Sequence, residues 1–358
     1  MLRTESVQLP ISYSTFKINH KFAEIMEATT AFIIIIATLA VLYFRHYKKH
    51  IACRRYCRSN ASLEGKTVVV TGGNSGIGKV TALDLARRGA RVILACRNLQ
   101  KAEDAAKEIK TRTGNSEVVV RHLDLASLQS VREFANKIIE SEDRLDILIN
   151  NAGVPDVGHA DLVTKDNFHS VFGINHFGHF LLTNLLLDLL KKSAPSRVIN
   201  IASIAHKYVN SPIDLTKEHP SGKSPVLYPH LKNYFQSKLA NILFGRELAR
   251  RLESTGVTSV SIHPGVVFSS WWLNMKVNWV RALTYYIQWP FMWLLFIDEE
   301  AGAQTTLHCA LDESVSQLPG RYFANCAAVQ PSELARDDEM ARRLWDVSCQ
   351  ATGIENNY

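Results

Sequence analysis

A glycine-rich turn held between a strand and a helix is the tightest constraint in this sequence. The β-branched run Thr67-Val68-Val69-Val70 leads into Thr71-Gly72-Gly73-Asn74-Ser75-Gly76-Ile77-Gly78, and Lys79 to Arg88 carries a helical pattern that Gly89 closes. Such a turn lets backbone approach a ligand closely. The helix behind it presents free N–H groups and a partial positive charge, the combination that receives a pyrophosphate. A second apolar run, Arg91 to Ala95, follows at once, so strand, crossover helix and parallel strand form one mononucleotide-binding half. A glycine loop alone is often an ordinary turn. In this setting Gly72, Asn74, Ser75, Gly76, Ile77 and Gly78 are candidate dinucleotide-binding residues.

Further apolar runs at Glu117–Leu123, Leu145–Ile149, Arg197–Ile201 and Val257–Ile262 read as strands. Helical patterns near Lys101–Thr111, Leu128–Ser141, Phe168–Leu190 and Tyr234–Leu252 alternate with them. The alternation predicts an α/β fold, a doubly wound parallel sheet of Rossmann type covered on both faces. Ligands bind such sheets at the carboxyl ends of the strands. The sequence places Asp124 there after the third strand, Asn150-Asn151-Ala152-Gly153 after the fourth, Ser203 after the fifth and Pro264-Gly265 after the sixth. Tyr234 and Lys238 stand four apart and share a helix face. At the end of the second strand, where NAD-selective folds carry an acid for the ribose 2′-hydroxyl, the chain has Ala95-Cys96-Arg97-Asn98. Arg97 suits a 2′-phosphate, and so predicts NADP(H); the other reading is a solvated cation at a helix start, with Asn98 as its N-cap.

Taken together and in this order, these residues resemble the short-chain dehydrogenase/reductase superfamily over nearly all of residues 62–354. The Gly-x-x-x-Gly-x-Gly spacing is that family's form of the loop. The resemblance implies that Tyr234 is the acid/base, Lys238 its partner, Ser203 the carbonyl-orienting hydroxyl and Asn175 the helix residue completing a proton relay. It also implies that Asn151 borders the cofactor, that Asp124 contacts the adenine, and that Pro264, Gly265, Val267 and Ser269 line the nicotinamide side. Within the superfamily, Leu94-Ala95-Cys96-Arg97, Asp124-Leu125-Ala126-Ser127, Asn175 to Leu182 and His263 to Val267 look like the retinol dehydrogenase branch. That branch usually has a basic residue and Thr where this chain reads Phe268-Ser269, and it shares the long insertion between Ser203 and Tyr234. The implied activity is hydride transfer between NADP(H) and a hydrophobic alcohol or carbonyl compound, retinol and retinal first, a steroid or lipid aldehyde second. A catalytically idle cofactor-binding scaffold on a membrane is the rival. A tyrosine with an ordinary pKa of about 10 needs help near neutrality, and the Lys238 ammonium and the nicotinamide cation together are expected to lower it in a site closed to water.

The chain of 358 residues has a formal charge of +7, and Arg45, Lys48, Lys49, Arg54, Arg55 and Arg58 account for all but one of those charges. Basicity confined to one short segment argues against a nucleic-acid-binding face on the globular part. Before it, Ala28 to Phe44 is a run of 17 residues without charge. At about 1.5 Å per residue it spans roughly 26 Å as a helix, close to the thin bilayer of the endoplasmic reticulum. Cations behind the run predict an anchor with the following domain in the cytosol; secretion after signal cleavage is the alternative. The predicted organisation is a tail over 1–27, an anchor over 28–44, a basic linker over 45–61 and an NADP-binding catalytic domain over 62–354. Residues 271–296 hold five of the six tryptophans, an aromatic stretch suited to an apolar substrate or a membrane interface. The six cysteines show no metal-ligand spacing, so no metal is expected; Cys96, Cys309, Cys326 and Cys349 read as buried free thiols, Cys53 and Cys57 as linker thiols. A homo-oligomer is left open.

Asn60-Ala61-Ser62 is the only Asn-x-Ser/Thr acceptor in the chain. With the domain in the cytosol, Asn60 stays unmodified. A glycosidase-sensitive gel shift abolished by Asn60→Gln would place the domain on the other side of the membrane.

Overall fold

The computed structural model describes residues 12–47, 55–155, 163–213, 231–267 and 296–356. It divides into two units, Met1–Arg54 and Arg55–Tyr358. The first contains α1 (Ser12–His46), within which Ile25–Arg45 is long and apolar enough to cross a membrane, with none of it buried in protein. The helix begins well before the uncharged run that the sequence singles out. Within the apolar span the threonines do not leave bare hydroxyls: Thr29 donates to the Ile25 carbonyl, Thr30 to Met26 at 2.7 Å and Thr38 to Ile34 at 2.8 Å, each one turn back. Such internal bonds satisfy polar groups where no water is at hand.

The second unit alternates strand and helix. β1 (Thr67–Thr71), α2 (Gly76–Arg87), β2 (Arg91–Cys96), α3 (Leu99–Thr113), β3 (Val118–His122), α4 (Leu128–Ser141) and β4 (Ile147–Asn150) come first. Then follow α5 (Ser170–Phe172), a π-turn over Gly173–Phe177, α6 (Gly178–Leu185), α7 (Leu187–Lys192), β5 (Ser196–Ile201), α8 (Lys232–Arg251) and β6 (Val257–His263). The last elements are α9 (Glu299–Leu311), β7 (Tyr322–Ala324), β8 (Ala327–Val329) and α10 (Asp338–Thr352). The sheet order is β3-β2-β1-β4-β5-β6-β7-β8, parallel except for the antiparallel edge strand β8. The order reverses between β1 and β4, and a crevice opens at such a switch point.

The valine and isoleucine strands are buried on both faces because alternate side chains meet different helix layers. Val68, Val70, Val92, Leu94 and Ile149 pack with α2, α3 and α9 through Leu85, Ile109 and Leu307. Their neighbours Val69, Ile93, Leu148 and Val198 pack with α4, α6, α8 and α10 through Phe134, Phe180, Leu248 and Trp345. Each such aliphatic group stabilises the sheet by about 1.5–3 kcal/mol relative to exposure. At the amino end the register of β1 on β4 is pinned by buried Asp146, which accepts from the Thr67 N–H at 2.9 Å and pairs with Arg144 at 2.7 Å. Burial pushes this carboxyl up, but the bonds from Arg144, Thr67 and Lys66 outweigh it and hold it below its ordinary value.

The doubly wound parallel sheet agrees with the sequence reading, with four departures. The helix expected over Phe168–Leu190 is broken into α5, the π-turn, α6 and α7. β7, β8, α9 and α10 have no counterpart in that reading. The sheet carries an antiparallel edge. Residues 55–61, read as linker, are packed: Cys57 N–H donates to Gln304 at 3.1 Å and the Ser59 hydroxyl to the Leu311 carbonyl at 3.2 Å. Cys96, Cys309, Cys326 and Cys349 are buried free thiols and Cys57 is a partly buried one; Cys53 and the aromatic stretch over 271–295 lie outside the described residues.

Candidate active site

The carboxyl ends of β1, β2, β3, β4, β5 and β6 surround a cleft of about 870 Å³. Gly72, Asn74, Ser75, Gly76, Ile77 and Gly78 line one side, Arg97 and Asp124 one end, and Asn151, Ser203, Tyr234, Lys238, Pro264, Gly265 and Val267 the rest. Of the residues singled out in the sequence, Asn175 stands behind this wall and Ser269 lies outside the described residues.

The glycine loop is shaped by Asn151 and Thr71. Gly72 has φ +65°, and a Cβ there would come within 3.1 Å of Ala152. At Gly78 a Cβ would fall 2.4 Å from the Asn151 amide nitrogen and 2.6 Å from the Gly72 carbonyl. That amide donates to the Thr71 carbonyl at 2.8 Å, and the Thr71 hydroxyl accepts from the N–H groups of Asn151 and Ala152, both at 2.9 Å. α2 starts on this loop, and its N-cap Ser75 makes no side-chain cap hydrogen bond, so the first-turn N–H groups face the cleft without a capping oxygen. An anionic diphosphate fits such a helix end. At the β2 end, the Asn98 side chain caps α3 by accepting from the Lys101 N–H at 2.9 Å. Arg97 and Lys101 are exposed and both line the cleft; Lys101 escaped the sequence reading because it sits inside the helix rather than at the strand end.

On the opposite wall, Ser203 and Tyr234 join hydroxyl to hydroxyl. Lys238, one turn along α8 from Tyr234, is 4% exposed; its ammonium donates to the Ile201 carbonyl at 3.0 Å and lies 5.6 Å from the Tyr234 ring centre. Gly153 makes room for it, since a Cβ there would sit 3.3 Å from the Lys238 Nζ and 3.4 Å from the Asn175 Oδ1. Asn175, in the π-turn, clasps Val154 twice, accepting from its N–H at 2.8 Å and donating to its carbonyl at 3.0 Å. The same amide group donates to the Ser237 hydroxyl at 3.0 Å. A π-turn widens the helix by one residue and turns a side chain that a regular helix would aim elsewhere.

Burial lowers Lys238 to about 8 and raises Tyr234 to about 12, with the Ser203 bond pulling the tyrosine slightly back. The sequence reading expects a tyrosine lowered by Lys238 and the nicotinamide cation together; the protein's own groups alone raise it. Desolvation of the hydroxyl outweighs any help from the ammonium, so Tyr234 is a protonated donor across the neutral range.

Two buried histidines, His179 and His206, and the half-buried His263, none given a role by the sequence reading, hold these loops. His206 donates from Nδ1 to the Ser203 carbonyl at 2.6 Å and accepts at Nε2 from the Ser332 N–H at 3.1 Å. His263 accepts at Nδ1 from the N–H groups of Ile204 and Gly265, both at 3.3 Å, tying the serine loop to the loop after β6. His179 bonds Thr71 and the Asn175 carbonyl. Burial holds His263 and His179 near 4 and lowers His206 as well, so none of the three carries charge at neutral pH. Among the described residues no cluster of ligands could hold a metal ion.

Comparison with known proteins now settles the family. Residues 66–212 match the short chain dehydrogenase family model. Dehydrogenase/reductase SDR family member 13 of Bos taurus is 49% identical over 299 residues, covering 83% of this chain and 76% of that protein. The chain belongs to the short-chain dehydrogenase/reductase family. Retinol dehydrogenase 13 of Homo sapiens is 48% identical over 299 residues, covering 84% of this chain and 88% of its own length. Among solved structures, the NADP complex of Pseudomonas aeruginosa RhlG superposes with a TM-score of 0.57 at 26% identity, covering 73% of this chain and 95% of that one. The retinol dehydrogenase-like character read from the sequence agrees with these relatives, and the chain is an oxidoreductase of that family.

Proposed function

We propose that this protein is a membrane-anchored, NADP(H)-dependent oxidoreductase that interconverts a hydrophobic alcohol and its carbonyl compound, retinol and retinal being the favoured pair. The observation that carries the reading is the joined hydroxyls of Ser203 and Tyr234, with the Lys238 ammonium beside the tyrosine, on the same cleft as the glycine loop. Similarity to a retinol dehydrogenase supports the apolar substrate class. The residues suit a nicotinamide dinucleotide: the uncapped α2 N-terminus for its diphosphate, Asp124 for the adenine, and Asn151, Lys238, Pro264, Gly265 and Val267 around the nicotinamide half. Bound there, it supplies the hydride that reduces the carbonyl carbon. Anchoring through residues 28–44, with the catalytic domain cytosolic at the endoplasmic reticulum, gives access to a substrate dissolved in the bilayer.

The protein's part is to hold the substrate oxygen and move a proton to it. Ser203 holds the carbonyl oxygen against Tyr234, whose raised pKa keeps the proton in place until charge develops on that oxygen. As the proton leaves, the forming phenolate faces the Lys238 ammonium, which stabilises it in a site poor in water. In the oxidative direction the same proton returns to Tyr234.

Arg97 and Lys101 suit a 2′-phosphate, so NADPH is expected to bind at least about tenfold more tightly than NADH, and Arg97→Asp to erase the preference. Equal affinities in the unmodified protein, measured by nicotinamide fluorescence, would remove the NADP assignment.

Tyr234→Phe removes the transferable proton with little change in packing, so kcat for retinal reduction is expected to fall by roughly two to four orders of magnitude with NADPH affinity nearly unchanged. Lys238 carries its proton below about 8 and loses it above, so reduction by the unmodified enzyme is expected to decline as pH rises through that value. A Tyr234→Phe protein as active as the original would exclude this mechanism.

A further inference from the structure

His179 is 2% exposed and lies one helical turn beyond Asn175, at the start of α6. Its two ring nitrogens reach opposite parts of the site. Nδ1 is 3.2 Å from the Asn175 main-chain carbonyl, and Nε2 is 2.9 Å from the Thr71 hydroxyl. A carbonyl can only accept, so Nδ1 carries the hydrogen and Nε2 offers its lone pair to the Thr71 hydroxyl. The Thr71 oxygen, its proton committed to His179, keeps both lone pairs for the N–H groups of Asn151 and Ala152. Without His179 the proton can still turn to the Ile149 carbonyl at 3.3 Å, on the neighbouring strand β4.

Four residues, Asn151 to Val154, run between these two holds. Thr71 grips the segment at Asn151 and Ala152, and the Asn175 amide grips it at Val154. Between the grips lies Gly153, whose missing side chain leaves room beside the Lys238 ammonium: a Cβ there would sit 3.3 Å from Nζ. His179 therefore links both ends of the strap that passes beside the lysine. On the assignment of Lys238 and Tyr234 to catalysis made above, we propose that His179 is a positioning residue: in its Nδ1–H tautomer it fixes the Asn151–Val154 strap beside Lys238 by holding Thr71 and the Asn175 carbonyl at once. The groups facing it from neighbouring elements agree with a neutral ring. His176 on the π-turn and Lys238 on α8 are the nearby ionisable groups, and neither would favour a second proton on His179.

The test separates the two bonds. In His179→Asn the side-chain amide takes the place of Nδ1 and keeps the bond to Asn175; in His179→Gln it takes the place of Nε2 and keeps Thr71; His179→Leu keeps neither. Displacement of the lysine by a fraction of an ångström is expected to lower kcat in His179→Leu by about tenfold to a hundredfold with KM for the carbonyl unchanged, and the Asn and Gln variants are expected to recover part of it. Water admitted to the loosened strap should also return Lys238 toward its ordinary value, so the basic limb of the kcat profile moves upward in pH. A role limited to stability would lower the melting temperature of all three variants while leaving kcat per folded molecule and the pH profile as in the original, and that result would overturn the proposal. Two readouts need no turnover. Nitrogen-15 spectra of His179 are expected to show the Nδ1–H tautomer from pH 5 to pH 9, and the opposite tautomer would overturn the proposal. NADPH affinity is expected to fall about tenfold in His179→Leu and less in His179→Gln, whereas equal affinities would contradict it. Should the unmodified protein bind NADPH and reduce no carbonyl, the functional reading fails while these two measurements still decide the place of His179.

Discussion

A lysine ammonium taken out of water is the most demanding group in this domain, and the site is built around keeping it there. Lys238 is nearly closed from solvent, with its proton affinity lowered to about 8 by burial alone. Among the described residues its ammonium donates to one carbonyl, that of Ile201 at the end of β5, which also accepts from the Asn241 amide at 3.1 Å. An ammonium with so few partners costs stability and is retained for what it does to its neighbours. The glycine at 153, the Asn175 amide bonded to Val154 and the Ile201 carbonyl at the end of β5 surround that one charge.

The two ends of the cleft handle charge differently. Around the half-buried Tyr234 and the buried Lys238 each group is pushed toward its neutral form, so a charge that develops in the reaction meets few competing dipoles. At the glycine loop, backbone N–H groups of α2 are left uncapped, and Arg97 and Lys101 stand in solvent. Solvated cations and helix ends attract an anionic ligand without the desolvation cost borne at the other end. One cleft thus combines a wet, positively biased side and a dry, reactive side.

The parts of this arrangement that were legible in the sequence are those fixed by short-range pattern. Strand runs such as Val68–Val70 and the glycine turn announce themselves, and the loops after each strand then fall together because parallel strands share a direction. Asp298 with Glu299 and Glu300, and Asp337 with Asp338, Glu339 and Gly353, are equally good signals for α9 and α10. The hairpin of β7 and β8 was harder: its strands have three residues each and its turn puts Asn325 and Cys326 at φ +52° and +53°, a conformation Cys seldom signals. The π-turn at Gly173–Phe177 was not legible, because it is set by where the Asn175 amide must reach. The upward push on Tyr234 by the protein alone is not legible for a related reason: the sequence supplies the charge of Lys238 but not the depth of either group. The partners of His179, His206 and His263 are likewise choices made in space.

The most direct measurement of the central claim is isotope transfer. The detergent-solubilised protein is given NADPH carrying deuterium at the reactive nicotinamide carbon, together with all-trans-retinal, and the alcohol formed is weighed by mass spectrometry. The account predicts one deuterium on the carbinol carbon of retinol in the unmodified protein, with little or no labelled product from Tyr234→Phe. NADPH bound in the cleft with no deuterium passed to retinal, to medium-chain aldehydes or to ketosteroids would contradict it.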